Sequence, residues 1–331
     1  MNVTQKESLA AEYVALREGA ALQVRPEHGV LLLSDADRAD FLQRMTTNNI
    51  GALTPGNSAV TILTSDVARN LFAFTVVCRE EDLLLLSGRG EAGELTRALQ
   101  GKIFFMDKVK VANISQPVRR LRLMGPGAAE MLAGLGVDLR DAPDGAWQRA
   151  GELTVVKQLA YDVPGFELLN PASGVDALVA RLVENGATLL NDDAAYEVRR
   201  IELGRPAPGT EISQDYNPQE AGMAWVCAEN KGCYTGQEII ARQVTYDKVT
   251  KTLIGLRSAT LLEPGAPVTA EGRTVGHVTS AAYSPAFEAP IALAILKRPH
   301  NTPGAQVTVN DERLEVLRLP FAENEIERMG E

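Results

Sequence analysis

The sequence has 331 residues, of which 45% are hydrophobic and 23% charged, and this composition is typical of a globular protein of about two domains. Three cysteines cannot form a disulfide framework, so we expect a reducing, cytoplasmic compartment. A net charge of −10 disfavours direct nucleic-acid binding through phosphates, and no run reaches the roughly 20 apolar residues of a membrane span. We therefore expect a soluble protein with no membrane partner.

The first half of the chain alternates strand-like and helix-like segments. Leu9, Tyr13 and Leu16 lie near helical spacing and predict a short amphipathic helix over 7–18. Apolar runs then predict strands, with two helices between them whose inward faces carry residues such as Phe41 and Leu42. The predicted strands cover 29–33, 59–64, 71–78, 83–86 and 103–114.

The second half repeats this order of segments. LRLMGPGAAEMLAGL from Leu121 is similar to LLLSDADRADFLQRM from Leu31, and FELLNPASGVDALVARL from Phe166 is similar to LLLLSGRGEAGELTRAL from Leu83. We interpret the similarity as a diverged duplication of a strand–helix–strand–strand–helix–strand unit. The pattern predicts an α+β fold with two ferredoxin-like split βαβ units, over about 20–115 and 116–205.

The remaining chain contains two regions of different composition, 206–250 and 251–331. Residues 206–250 form a polar, proline-punctuated segment without regular period, and long segments of this kind are often functional. Residues 251–331 show short strand-like segments separated by Pro-Gly and Glu-Gly turns, which predicts a C-terminal β-barrel. We therefore assign 1–250 to the duplicated region with its motif segment and 251–331 to the barrel.

The stretch KGCYTGQEIIAR, residues 231–242, is the most informative part of the motif segment. Thr235 and Glu238 have the spacing of a capping box, so a helix is predicted to begin beside Cys233. The helix dipole and the nearby charge of Lys231 would both favour a thiolate, which predicts a reactive cysteine. The alternative interpretation is a tight glycine turn in which Cys233 is only a small residue, and the local sequence leaves both open.

Other residues carry weaker chemical signals. Cys78 and Cys227 lie in apolar surroundings and are predicted to be buried structural cysteines. We find no Ser/His/Asp set, no metal-binding cluster and no phosphate-binding loop, and we predict no metal site. Glu202 ends a predicted helix, where its carboxylate is either solvated or faces the space between the two halves. In the second case it is able to pair with the two N–H donors of a 2-amino-pyrimidinone edge.

The octapeptide KGCYTGQE, residues 231–238, matches the signature of the YgfZ family of folate-binding proteins, which resemble the T-protein (aminomethyltransferase) of the glycine cleavage system. Its matching positions, besides Lys231 and Cys233, are Gly232, Tyr234, Gly236, Gln237 and Glu238. Weaker similarities occur in the family's order along nearly the whole chain. They lie at 41–42 with 47–48, at 164–167, at 200–204 and at 217–222.

The resemblance implies a three-part ring around a central channel that accepts tetrahydrofolate or a one-carbon derivative. Glu202 matches the position where the T-protein glutamate holds the pterin ring, and Cys233, beside Lys231, is the motif cysteine. The family is associated with a folate-dependent role in making or repairing iron–sulfur enzymes, including those that thiolate tRNA. Iron–sulfur assembly machinery or client enzymes are therefore the implied partners.

One departure separates the sequence from T-proteins. Residues 65–74, SDVARNLFAF, have no glycine-rich turn and no acid in the strand where T-proteins use an aspartate in methylene transfer. Asp66 lies several residues too early to correspond to that aspartate. Our leading hypothesis is a tetrahydrofolate-binding protein that supports iron–sulfur assembly or repair through Cys233. The alternatives are a T-protein-type aminomethyltransferase and a non-catalytic folate-binding scaffold in which Cys233 only shapes a turn.

Overall fold

The computed structural model describes residues 3–321, so Met1, Asn2 and residues 322–331 at the end of the predicted barrel domain lie outside it. Its α-helices are α1 Val3–Glu18, α2 Arg38–Met45, α3 Ala92–Gln100, α4 Ala128–Ala133, α5 Val175–Glu184, α6 Ala194–Glu202 and α7 Gln237–Thr245. Its strands up to α6 are β1 Ala21–Arg25, β2 His28–Ser34, β3 Ser58–Thr64, β4 Asn70–Cys78, β5 Leu83–Arg89, β6 Lys110–Asn113, β7 Val118–Met124, β8 Trp147–Ala150, β9 Leu153–Gln158, β10 Gly165–Pro171 and β11 Thr188–Leu189. The later strands are β12 Lys251–Arg257, β13 Pro267–Ala270, β14 Arg273–Ser284, β15 Ala289–Lys297, β16 Gln306–Val309 and β17 Glu312–Leu317.

The first unit is an antiparallel sheet in the order β3-β4-β5-β2-β6. Without the edge strand β3, this is the order of a ferredoxin-like unit, with α2 and α3 as its two crossover helices. Phe41 and Leu42 of α2 and Leu95 and Leu99 of α3 are fully buried against one face of the sheet. The predicted α+β fold with ferredoxin-like units is confirmed.

The second unit repeats the arrangement with one difference. Its sheet has the order β11-β1-β7-β10-β9-β8, so β1 is inserted between the two strands that would otherwise be neighbours. The predicted first half, 20–115, is therefore wrong for residues 21–25, which belong to the second sheet. Side chains on the strands explain this placement, because Arg25 lies opposite Arg120 in the register and pairs with Glu167 of β10.

Alternation along β7 gives the second sheet two different faces. Leu121 and Leu123 point into the core beneath α4 and α5, whereas Arg120 and Arg122 lie on the other face, where Arg120 donates to the Ser87 carbonyl oxygen of the first sheet. The inner faces of the two sheets also meet through an apolar cluster that includes Val30 of β2 and Val156 of β9. The space between the sheets is therefore apolar in one part and ionic in the other.

A terminal helix and the barrel complete the molecule. The buried faces of α1 and α6 pack together, with Leu16 and Val198 in the shared cluster. The six strands β12–β17 close into a barrel, and Ile201 of α6 packs against Ile291 and Leu293 of β15. Because α6 touches both the second unit and the barrel, it links the two domains.

Gly165→Ala tests the close pairing of β7 and β10. A Cβ at Gly165 would lie 2.3 Å from the carbonyl oxygen of Leu123, so the strands must separate locally. We expect the free energy of unfolding in urea to fall by about 2–4 kcal/mol. Gly93→Ala is the control, because a Cβ there is 3.7 Å from its nearest neighbour and should raise stability by about 0.5 kcal/mol. Equal stability of Gly165→Ala and the wild type would contradict the close approach of these two strands.

Candidate functional site

A cleft of about 830 Å³, part of it open to solvent, lies between the ionic parts of the two inner sheet faces. Residues of β1, β2, β5, β7, β9 and β10 form its walls, together with α6 and the segment 205–208. Its charged lining residues are Arg25, Arg89, Arg120, Arg200, Arg205, Asp162, Glu167, Asp193 and Glu197. The walls combine charged, polar and apolar side chains, so the cleft is able to hold a small polar molecule.

Glu167 is the centre of the ionic wall. Its carboxylate is fully buried and lies 2.7 Å from Arg25, 3.0 Å from Arg120 and 3.2 Å from Arg122. Burial by itself raises the pKa of this carboxyl, but the charges of the three arginines outweigh burial and hold the pKa well below its ordinary value. Glu167 is therefore an anion in the folded protein.

Asp162 continues the same network toward α6. It accepts hydrogen bonds from Arg25 at 2.9 Å and from the Tyr196 hydroxyl at 2.8 Å. Tyr196 in turn lies under the Arg25 guanidinium, 5.3 Å from it. The side chains that build the cleft are thus held by one another and are ordered before any ligand enters.

These charged residues were missed by the sequence analysis, although a signal existed. In the strand VRRLRLM, Arg120 and Arg122 alternate with Leu121 and Leu123, which is the period-2 pattern of a strand with one polar face. Such a pattern does not reveal that the polar face is buried. The burial depends on the opposing sheet, which the local sequence does not specify.

A second cavity of about 530 Å³ adjoins the cleft. Gln158 and Tyr161 line both spaces, and Asn48 and Trp225 line the far side of the second one. His28 lies on the other side of the cleft, where burial and then the charges of Arg25 and Arg120 lower its pKa to about 3. His28 is therefore neutral at physiological pH.

Lys231 is hydrogen-bonded to Asn48, a residue in the wall of the second cavity. Its Nζ donates to the carbonyl oxygens of Thr46 and Asn48, both at 2.6 Å, and lies 4.9 Å from the Tyr234 ring centre. Burial lowers the pKa of Lys231 to about 8, and its charge acts on the thiol of Cys227. The ammonium predicted to activate Cys233 is instead engaged by backbone carbonyls.

The predicted capping box is wrong. Helix α7 begins at Gln237 after Gly236, which has φ +82° and makes no side-chain cap, and the Glu238 carboxylate lies 3.6 Å from Arg242. A Cβ at Gly236 would lie 2.8 Å from the Ser65 carbonyl oxygen, so this glycine permits close contact with the turn between β3 and β4. Cys233 consequently lies four residues before the helix, exposed to solvent.

Other residues of the motif also contact the region of the turn between β3 and β4. The Thr235 carbonyl oxygen accepts a hydrogen bond from the Thr64 hydroxyl at 2.6 Å, and Tyr234 is buried against Ala68. The Gln237 backbone N–H donates to the Tyr234 carbonyl oxygen at 3.2 Å. Gly232, in contrast, has open space around it, and nothing in the structure explains the glycine there. The motif therefore holds Cys233 beside the β3–β4 turn.

Glu202 lies away from the cleft. Its carboxylate accepts hydrogen bonds from the Tyr13 hydroxyl at 2.6 Å, from Arg199 at 3.0 Å and from the Ser284 hydroxyl. It is buried at the junction of α1, α6 and the barrel, so it neither faces a channel nor is solvated. The carboxylate of α6 that lines the cleft is Glu197, five residues earlier.

Other expected features can be located in residues 3–321. Strand β4, NLFAFTVVC, contains no acidic residue, and the preceding turn has Ala68 at φ +60°. Cys78 is buried, Cys227 is half-buried, and all three cysteines are free thiols. Burial raises the pKa of Cys227 to about 12. In this part of the chain no group of three or more His, Cys, Asp or Glu residues could hold a metal ion, and no helix is long and apolar enough to cross a membrane.

Two family models match almost the entire chain in the same order as the domains. Residues 3–231 match the GCVT N-terminal domain, and residues 251–321 match the glycine cleavage T-protein C-terminal barrel domain. The chain belongs to the glycine cleavage T-protein family. The second match begins at Lys251, the first residue of the barrel strand β12.

Curated relatives and a solved structure agree with this assignment. A chloroplastic protein of Arabidopsis thaliana is 31% identical, over 86% of this chain and 67% of that protein. Its name describes it as a transferase. An aminomethyltransferase of Mycobacterium leprae is 26% identical, over 95% of this chain and 88% of its own. The crystal structure of the glycine cleavage system aminomethyltransferase T from Bartonella henselae has a TM-score of 0.87 at 21% identity, covering 95% and 90% of the two chains, and shows the shared fold.

Glu91 provides a pH-dependent test of the rim of the T-protein cleft. Its Oε2 accepts a hydrogen bond from the backbone N–H of Gly88, a lining residue, at 3.0 Å. Burial raises the pKa of this carboxyl from 4.5 to about 7. Because the folded-state pKa lies above the unfolded value, the favourable contribution is complete below about pH 4.5 and is lost as the pH rises through 7.

We therefore expect Glu91→Gln, which keeps an acceptor for Gly88, to be about 1–2 kcal/mol more stable than the wild type at pH 8 and equally stable near pH 4.5. Urea unfolding at the two pH values measures the difference. Glu184→Gln, an exposed change at the end of α5, is the control and should leave the free energy of unfolding within about 0.5 kcal/mol of the wild type at both pH values. A Glu91→Gln effect that is the same at both pH values would contradict the assignment.

Proposed function

We propose that this T-protein family member binds a tetrahydrofolate in the cleft between its two sheets and takes part in one-carbon transfer of the aminomethyltransferase type. The observation that carries the proposal is a preordered, charged cleft, formed between the two sheets of a chain that matches both T-protein domains. Tetrahydrofolate, when bound, supplies the nitrogen atoms that accept the one-carbon unit. The protein contributes binding, orientation and exclusion of water.

The cleft fits the polar pterin end of such a ligand. The Glu197 side chain is 42% exposed, and Arg200 holds its Oε2 at 2.7 Å. Its Oε1 has no donor among the residues that the structure describes, so it is free to accept an N–H of a 2-amino-pyrimidinone edge. We therefore propose Glu197 for the pterin-holding role that the family resemblance implied for Glu202.

Titration with tetrahydrofolate distinguishes the two glutamates. Glu197→Gln should weaken binding about tenfold to a hundredfold, because a charge-assisted hydrogen bond is lost. Glu202→Gln should lower the melting temperature, because it breaks a buried ion pair with Arg199, but should leave the affinity of the folded protein unchanged. The opposite result, with binding lost only in Glu202→Gln, would restore the original assignment.

Transfer itself requires a separate assay. In the aminomethyltransferase reaction, the methylene carbon moves from an aminomethyl-lipoyl carrier to tetrahydrofolate, giving methylenetetrahydrofolate, ammonia and the reduced lipoyl carrier. Wild-type protein should form methylenetetrahydrofolate and release ammonia, and Glu197→Gln should lose the activity. Binding of tetrahydrofolate without product formation would leave a folate-binding protein that is not an aminomethyltransferase, as expected for a non-catalytic scaffold.

A second candidate function is the YgfZ-type role in iron–sulfur assembly or repair, with tRNA modification downstream. Two observations favour it: strand β4 lacks an acidic residue, and the motif presents the exposed Cys233 to solvent beside the turn before β4. In this case the partners are iron–sulfur assembly machinery or client enzymes, and Cys233 is the reactive residue. We place both functions in the cytoplasm on the basis of cysteine usage.

Cys233→Ser tests this second function. In cells that depend on this protein for iron–sulfur enzyme activity, the variant should lose complementation if the thiol is needed, while tetrahydrofolate binding stays at the wild-type level. Gly232→Ala is the matched control, since a Cβ meets no atom within 4 Å there and the thiol is retained. Full complementation by Cys233→Ser would eliminate a chemical role for the cysteine and leave it as a turn residue.

A further inference from the structure

Arg205 differs from the other charged residues that line the cleft. The four lining carboxylates, Asp162, Glu167, Asp193 and Glu197, each lie within salt-bridge distance of an arginine other than Arg205. No carboxylate of residues 3–321 lies within 4 Å of the Arg205 guanidinium. Arg205 is therefore a cation of the cleft that the described part of the protein does not pair.

One hydrogen-bond donor of the guanidinium also lacks an acceptor. Its Nη2 donates to the carbonyl oxygen of Leu159 at 3.0 Å, whereas the buried Nε–H has no partner in the described part of the chain. Burial lowers the pKa of Arg205, and the more distant charges of Asp162 and Asp144 offset only part of this effect. A half-buried cation with an unused, buried donor costs folding free energy unless a ligand compensates it.

Local structure holds this side chain in place. Gly204, at φ +65°, ends α6, and the Arg205 N–H bonds back to the Arg200 carbonyl oxygen at 2.8 Å. The next residues touch the opposite wall, because a Cβ at Gly88 would lie 3.0 Å from Pro208 Cγ. Arg205 therefore lies on an ordered helix end and lines the cleft.

We propose that Arg205 is the anchor of a carboxylate subsite in this cleft. A carboxylate is the group that matches a guanidinium without an anionic partner, and it would offset the desolvation cost of the unpaired cation. The carboxylate has two possible sources: the glutamyl tail of a folate, or a small amino acid bound beside the pterin. This inference rests on the proposed function for the identity of the pterin, but not for the anion subsite itself.

Three probes separate these sources: tetrahydrofolate, tetrahydropteroate, which lacks the glutamyl group, and glycine. Each is titrated into wild type, Arg205→Gln, Arg205→Lys and the control Arg257→Gln, which removes an exposed arginine of the barrel. We expect Arg205→Gln to weaken the binding of tetrahydrofolate or of glycine at least tenfold and to leave tetrahydropteroate binding unchanged. Arg205→Lys should recover part of the loss, and Arg257→Gln should match the wild type.

The pattern of loss identifies the source of the carboxylate. A loss confined to tetrahydrofolate assigns the subsite to the glutamyl tail, and a loss confined to glycine assigns it to a second, amino-acid ligand. Wild-type affinity of Arg205→Gln for all probes overturns the proposal, and so does an equal loss for all of them, tetrahydropteroate included. In the absence of ligand, Arg205→Gln should melt at or above the wild-type temperature, which excludes misfolding as the cause of weakened binding.

The outcome also separates this inference from the proposed function. If wild-type protein binds neither pterin, the folate function fails, and glycine alone decides the subsite. Glycine binding that depends on Arg205 then supports the anion subsite, and its absence overturns it. If the pterins bind normally to both wild type and Arg205→Gln, the folate function stands and the carboxylate subsite fails.

Discussion

The buried carboxylate of Glu167, held by Arg25, Arg120 and Arg122, is the interaction on which the functional part of the molecule depends. A charge that is removed from water this completely is tolerated only when its partners surround it closely. The three arginines come from two strands, β1 and β7, and one of them also bonds to the backbone of the opposite sheet at Gly29 and Ser87. The same contacts therefore place β1, align the two sheets and build one wall of the cleft.

The two repeated units enclose the cleft, and the insertion of β1 into the second sheet adds charged residues to one wall of it. Two repeated units bring their inner faces together, but only the second sheet receives β1 and its charged residues. One part of the interface is closed by apolar contacts such as those of Val30 and Val156, and the charged part lies beside it. A cleft built this way needs little rearrangement to accept a ligand.

The motif, residues 231–238, contacts the first unit next to the second cavity. Lys231 fastens the segment at Thr46 and Asn48 that follows α2, while Gly236 and Tyr234 fasten the turn between β3 and β4. These contacts leave Cys233 exposed at the surface. The motif therefore holds a thiol at the surface of the protein and not in the cleft.

Local patterns in the sequence were sufficient for the fold class, the two repeated units and the barrel, because strand and helix periods and turn residues depend on near neighbours. They were insufficient wherever a side chain's environment comes from a distant segment. Glu197 and Glu202 are five residues apart on α6, about 140° around a helix, so one faces the cleft and the other faces α1 and the barrel. The sequence shows both as helical glutamates, and only the packing of α6 against three neighbours decides their roles. The same holds for β1, whose sheet is decided by charged partners distant in the chain, and for Arg205, whose missing carboxylate is a property of the assembled cleft.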